Sequence, residues 1–191
     1  MRNSVAAIWV FVASLVLVNS LLMTAEANAQ TLDRGLTLRD LSFELTTPQD
    51  IARYIWKNFL YEDDQRLFGV RDRWQSPEEL LKNKRGDCED FALFAREVLR
   101  LQGYHTFLLN LYGDRYAHTL CIYKENGKYR ALDGTEVLPY AEVHLNDLIQ
   151  KIHSPWKSGA IVTPSHENTR SKILKEFDRR LKAREHILTA A

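Results

Sequence analysis

The strongest constraint on this chain is the segment Gly86-Asp87-Cys88-Glu89-Asp90-Phe91-Ala92, followed at a distance by His118 and then Asp133. Gly86 breaks any preceding helix and Asp87 can cap the next one, so Cys88 falls on the first position of a helix. The histidine and the aspartate follow at separations that allow the three to meet in space rather than in sequence. In contact, they would be a nucleophile, a base and an orienting acid.

The strand pattern downstream supports such a meeting. Thr106 to Tyr112, Ala117 to Lys124 and Lys128 to Asp133 are predicted strands, and Asn126-Gly127 is a two-residue type I′ turn between the last two. That turn pairs Glu125 with Lys128, and the register runs outward: Ile122 faces Ala131, Leu120 faces Asp133, His118 faces Thr135. Side chains alternate along a strand, so His118, Leu120 and Ile122 share a face with Asp133, Ala131 and Tyr129. His118 is then a diagonal neighbour of Asp133, within roughly 5–8 Å between β-carbons. Cys121 falls on the opposite face beside Leu132 and Tyr123. Two cysteines in an oxidising compartment allow a structural disulfide, but the opposite face favours a reactive Cys88 and a buried Cys121.

Upstream, Thr47 and Pro48 open a helix with Ile51, Ile55 and Phe59 every four residues. Ser76-Pro77-Glu78-Glu79 is a capping box for a short helix reaching about Lys84. Phe91, Ala92, Ala95, Val98 and Leu99 give the Cys88 helix its apolar face, and Gly103 ends it. Residues 30–46 are predicted extended or irregular, and Tyr61 to Asp72 a polar loop. Val143 to Ile152 is predicted as a helix, and Trp156 to Pro164 as a loop with a short strand. Arg170 to His186 is predicted as a charged terminal helix with Ile173, Phe177 and Leu181 on one face. Its surplus of Lys and Arg fits either a solvated helix or contact with an anionic surface.

The first 29 residues read as a signal peptide. Arg2 precedes an apolar run from Val5 to Met23, and Ala27-Asn28-Ala29 is a small-x-small cleavage site. Cleavage there leaves 30–191 as a single domain. The alternative is an uncleaved inner-membrane anchor over residues 5–23, the only contact with a membrane that the sequence offers. Either way the domain is exported. With 26 basic and 25 acidic residues the net charge is +1, which gives nucleic acid no handle.

The chemistry these positions allow is thiol catalysis. A helix N-terminus and an imidazolium both lower a thiol's pKa, and Asp133 would hold the ring of His118 in one tautomer. Asp87, Glu89 and Asp90 oppose this by raising it. They either favour the helix start through its dipole or hold a cation such as Ca²⁺. The helix start would supply one oxyanion donor, with Trp74, Tyr61 and Gln75 as candidates for the other. A metal site built from Cys88, His118 and Asp133 lacks the paired spacing typical of zinc.

"GDCEDFA" and "AHTLCIYKENGKYRALDGT" resemble the cysteine motif and the histidine and aspartate strands of the transglutaminase-like superfamily, most closely its bacterial transglutaminase-like cysteine peptidases. The resemblance covers about residues 48–138, with a C-terminal helical extension over about 140–191. It implies an α+β, papain-like core in which N-terminal helices pack on an antiparallel sheet. Cys88, His118 and Asp133 would be its triad, the location periplasmic, and the substrate a peptide or protein. No cofactor is needed for the chemistry itself, while Asp87 and Glu89 match acids that hold calcium in some members. The expectation is an exported cysteine peptidase or amidase working through an acyl-enzyme. An acyltransferase with the same triad, or a binding domain that keeps the fold without turnover, is the alternative.

Overall fold

The structure, a computed structural model, describes residues 36–114, 117–152, 156–164, 171–178 and 186–187. The predicted signal peptide or anchor lies outside the described residues. No helix among those described is long and apolar enough to cross a membrane.

Capping chemistry opens the helices upstream of the sheet. Helix α1 (Leu38–Glu44) starts at Thr37, whose hydroxyl accepts from the Asp40 N–H at 3.2 Å. Helix α2 (Pro48–Asn58) starts at Thr47 with Pro48 in the first turn, where a missing N–H costs nothing. Strand β1 (Leu60–Tyr61) and the single-turn helix α3 (Asp64–Leu67) follow. Helix α4 (Pro77–Asn83) carries the predicted capping box at Ser76 and ends with Lys84 at φ +59°. Strand β2 (Arg85–Gly86) leads into helix α5 (Cys88–Leu101), which ends before Gly103 at φ +88°.

Downstream the chain is mostly sheet. Strands β3 (His105–Tyr112), β4 (Ala117–Glu125), β5 (Lys128–Asp133) and β6 (Glu136–Val137) precede helix α6 (Leu145–Lys151). Strands β7 (Ser158–Pro164), β8 (Ser171–Asp178) and β9 (His186–Ile187) follow it. The order across the sheet is β6-β5-β4-β3-β7-β8-β9, with every neighbouring pair antiparallel. β1 and β2 form a separate two-stranded parallel pair.

Strands β3, β4 and β5 are covered on both faces, and strand alternation sorts their residues between two cores. Leu108, Cys121, Tyr123, Leu132 and Val162 pack under α1, α2, α4 and α5. Leu109, Leu111, Leu120, Ile122 and Ala131 pack against Leu148, Ile149, Ile152 and Trp156 on the other side. Consecutive apolar residues such as Leu108-Leu109 therefore both find a core. The predicted register holds from Glu125↔Lys128 to Cys121↔Leu132. There the β4–β5 ladder stops, and Asp133 instead pairs with Glu136 in the tight β5–β6 hairpin. Cys121 is fully buried in the helical core and both cysteines are free thiols, so Cys88 and Cys121 are not bridged.

Two sequence expectations are corrected. Residues 38–44 are helical rather than extended. Leu36, Leu38, Leu41, Phe43 and Leu45 mimic a strand's alternation, yet only Leu41 of the helix is buried and Phe43 is 72% exposed. The Thr37–Asp40 capping box opens the helix and the burial of Leu41 in the helical core commits it. Ser171–Asp178 is strand, not part of a helix running from Arg170 to His186. An apolar spacing of four suits a two-residue repeat as well as a helical one, and pairing with β7 decides between them. Residues 179–185, which the same helix would have included, lie outside the described residues.

Gly127 sits at φ +77° in the β4–β5 turn, where an added Cβ would meet nothing within 4 Å. Gly127→Ala is therefore a purely conformational change. It is expected to destabilise the domain by about 1 kcal/mol, read from the shift of a urea unfolding midpoint at unchanged slope.

Candidate active site

His118 enters on β4, and its Nε2 lies 2.7 Å from Asp133 Oδ1 at the end of β5. The diagonal contact predicted from the hairpin is thus formed, although the ladder itself ends one pair earlier. Because Nε2 is occupied by the carboxylate, Nδ1 is the ring nitrogen left for another partner. The histidine side chain is about one-third exposed and the aspartate less so, which keeps the pair accessible from one side.

Cys88 is the first residue of α5, with Asp87 as its N-cap in extended conformation. The backbone N–H of Thr119, the residue after His118, faces the sulfur and favours its thiolate. The helix start therefore lies at the segment of β4 that carries the histidine. Thr119 is itself fixed from below: its hydroxyl donates to Asn110 Oδ1 at 3.0 Å in a buried contact between β4 and β3.

The expectation of a lowered thiol pKa is not met in this state. Burial pushes the Cys88 thiol up, the negative charge of Glu89 and then of Asp87 adds to it, and the Thr119 N–H only partly offsets them. The thiol donates to Glu89 Oε2 at 3.2 Å. Burial and the two flanking acids, Glu89 and Asp87, together outweigh the help of the Thr119 N–H.

Those acids form a cluster larger than the sequence revealed. Asp64 on α3, Asp87 and Asp90 have carboxylate oxygens within 4.8 Å of one another, as do Asp64, Asp72 and Glu89. Burial raises the pKa of Asp64, Asp87 and Glu89. Oδ1 of Asp64 and Oδ1 of Asp87 are buried and find no hydrogen-bond donor among the described residues. Unpartnered carboxylate oxygens converging from several acids are what a hard cation such as Ca²⁺ takes, so the donor set fits the calcium suggested by Asp87 and Glu89. Asp64 and Asp72 were missed because only the folding of the 61–72 loop brings them to the helix start.

Asp90, 1% exposed, has a different role. It accepts from the Gln75 N–H at 2.8 Å, from Gln75 Nε2 at 2.5 Å and from the Asp87 N–H at 3.4 Å. Gln75 Nε2 also donates to the Arg85 carbonyl, and its Oε1 accepts from Asn83. Gln75 is thereby a buried bracket for the loop ahead of Cys88, and its amide hydrogens are already engaged, which removes it as an oxyanion donor. Between them Gly86 is tightly enclosed: a Cβ there would come within 2.9 Å of both Asp90 and Gln75 side chains. Beyond Asp133 a groove of about 340 Å³ opens between α2 and β6, lined by residues including Ala52, Trp56, Thr135 and Val137.

Fold and site together define a transglutaminase-like domain. A family model of that description matches residues 36–156, and the chain belongs to this family. The match extends beyond residues 48–138 on both sides, taking in α1 and α6. Among solved structures the chain is similar to a candidate cysteine protease of Cytophaga hutchinsonii, at 17% identity and TM-score 0.43, over 53% of this chain and 38% of that one. It is also similar to EGTA-treated LapG of Legionella pneumophila, at 17% identity and TM-score 0.43, over 74% of this chain and 70% of that one. For calcium-bound LapG the values are 19%, 0.40, 69% and 64%. The chain thus spans well under half of the Cytophaga protein. No curated protein matches it.

The acidic cluster sets a pH dependence. Burial raises Asp90 to about 7, and it raises Asp64, Asp87 and Glu89 in the same direction. Folded-state values above the unfolded ones mean that the native state binds more protons between about pH 4 and 7, so stability falls as pH rises through that window. Thermal unfolding in chelator is expected to show a melting temperature that declines from pH 4 to 7; a rise there would contradict the assignment.

Proposed function

We propose that this protein is an exported thiol hydrolase, a cysteine peptidase or amidase, with Cys88 as nucleophile, His118 as base and Asp133 as orienting acid. The observation that carries the reading is the 2.7 Å His118–Asp133 contact on the strand whose next residue, Thr119, faces the Cys88 sulfur. In this reading Nδ1 of His118 takes the thiol proton, while Asp133 stabilises the imidazolium that results. The thiolate attacks a peptide or amide carbonyl. Collapse of the tetrahedral intermediate expels the amine with a proton from His118 and leaves an acyl-enzyme. Water, activated by the same histidine, then releases the acid. The groove between α2 and β6, lined by Arg53 and Glu136 as well as by Ala52, Val137 and the 68% exposed Trp56, would offer substrate side chains both charged and apolar contacts.

Asp87 and Glu89, joined by Asp64 and Asp72, would hold Ca²⁺. The ion would neutralise the carboxylates that raise the Cys88 thiol and engage the orphaned oxygens of Asp64 and Asp87. Export, with the periplasm as destination, rests on Arg2, the apolar run from Val5 to Met23 and Ala27-Asn28-Ala29.

The test is turnover of a random-sequence peptide mixture with Ca²⁺ present. Cys88→Ala is expected to abolish cleavage with the fold intact, and Asp133→Asn to slow it by roughly 10²-fold or more; cleavage surviving Cys88→Ala would sink the proposal. A fluorescent primary amine appearing in the product would assign acyl transfer in place of hydrolysis. Calcium is expected to raise the melting temperature of the wild type, and Asp87→Asn or Glu89→Gln to remove most of that rise.

A further inference from the structure

Tyr61 is tied to the segment ahead of Cys88 by backbone bonds that do not involve the acidic cluster. Its strand, β1, is zipped in parallel to β2, with Tyr61 opposite Gly86, two residues before the nucleophile. The Leu60 N–H donates to the Lys84 carbonyl and the Glu62 N–H to the Gly86 carbonyl, both at 2.9 Å. Tyr61 is therefore fixed by backbone bonds on either side to the segment that presents Cys88. Its ring stands edge-on to Phe91 at 6.1 Å between centroids. Phe91 is three residues after Cys88 and shares its helix face, so the ring of Tyr61 packs over the face of α5 on which Cys88 lies. The residue is nevertheless 63% exposed, and burial followed by the nearness of Cys88, Asp87 and Glu89 pushes its phenol up, which keeps the O–H in place.

We propose that Tyr61 is a catalytic residue, its phenol O–H being the second oxyanion donor for acyl transfer to Cys88. This rests on the thiol-hydrolase reading above. Of the other upstream candidates, Gln75 has its amide hydrogens committed to Arg85 and Asp90, and Trp74 is only 4% exposed. A phenol keeps its proton across neutral pH and is a donor wherever the enzyme works. When the Cys88 thiolate attacks the carbonyl carbon, an S–C bond forms and the C=O π pair moves onto oxygen. The Cys88 N–H and the Tyr61 O–H then donate to that oxyanion. Collapse returns the pair to C=O, breaks the bond to the leaving group, and His118 supplies the leaving group's proton.

The test compares two probes of Cys88 on the full-length chain in Ca²⁺, with Cys88→Ala as background. Acetylation by p-nitrophenyl acetate passes through an oxyanion; alkylation by iodoacetamide does not. Tyr61→Phe keeps the ring on Phe91 and removes only the donor. It is expected to slow acetylation by about 100-fold, the effect typical of losing one oxyanion donor, while the alkylation rate stays within about twofold. Unchanged acetylation would overturn the proposal. Equal slowing of both probes would also overturn it, because Tyr61 would then act on the thiol. If wild-type Cys88 reacts with neither probe faster than free cysteine, the thiol-hydrolase reading itself fails and this proposal falls with it.

Discussion

The buried carboxylate of Asp90 ties together the parts of the chain that must converge for Cys88 to be presented. It accepts from the backbone and side chain of Gln75 and from the Asp87 N–H. One charge thus fixes the segment before α4, the glycine of β2 and the start of α5. Burying it is costly and pushes its pKa up to about 7, and the bonds from Gln75 offset part of that cost. Gly86 has no room for a Cβ because the two side chains close over it. The entry to α5 is therefore tightly held, and β1 with Tyr61 is pinned to it by backbone bonds.

The second requirement is a sheet that opens at the right place. β4 and β5 pair as far as Cys121↔Leu132 and then part, β5 turning into its hairpin with β6. Beyond that point the Thr119 N–H faces a sulfur rather than a strand. His118 and Asp133 still meet because they occupy one face, and their contact spans the point where the ladder ends. The same arrangement accounts for the thiol's state. Burial first, and then the charges of Glu89 and Asp87, keep the Cys88 thiol protonated, so under the function proposed here neutralising the acids would remove part of what opposes the thiolate.

Much of this was legible in the sequence because the relevant signals are local. Caps at Thr47 and Ser76 mark the helix starts, and counting outward from the Asn126-Gly127 turn puts His118 and Asp133 on one face of the sheet. What escaped depends on tertiary partners. Leu41 commits α1 through burial in the helical core, which the spacing of its apolar residues did not convey. Ser171–Asp178 pairs with β7, and its apolar spacing of four is equally at home in a helix. Asp64 and Asp72 carry no motif and join the acids at Cys88 only through the fold of their loop. The rise in the thiol's pKa likewise follows from burial, which no spacing reports.

The central claim is that Cys88 becomes an activated thiolate when its acidic neighbours are neutralised and His118 is present. The most direct measurement is the pH dependence of iodoacetamide labelling, read site by site by mass spectrometry, with and without Ca²⁺ and with His118→Ala. The account predicts slow labelling of Cys88 in chelator and rapid labelling in Ca²⁺ well below a free thiol's pKa of about 8.5. That reactivity should be lost with His118→Ala, while Cys121 stays inert. Labelling of Cys88 that follows a free thiol's titration in Ca²⁺ and ignores His118 would contradict it.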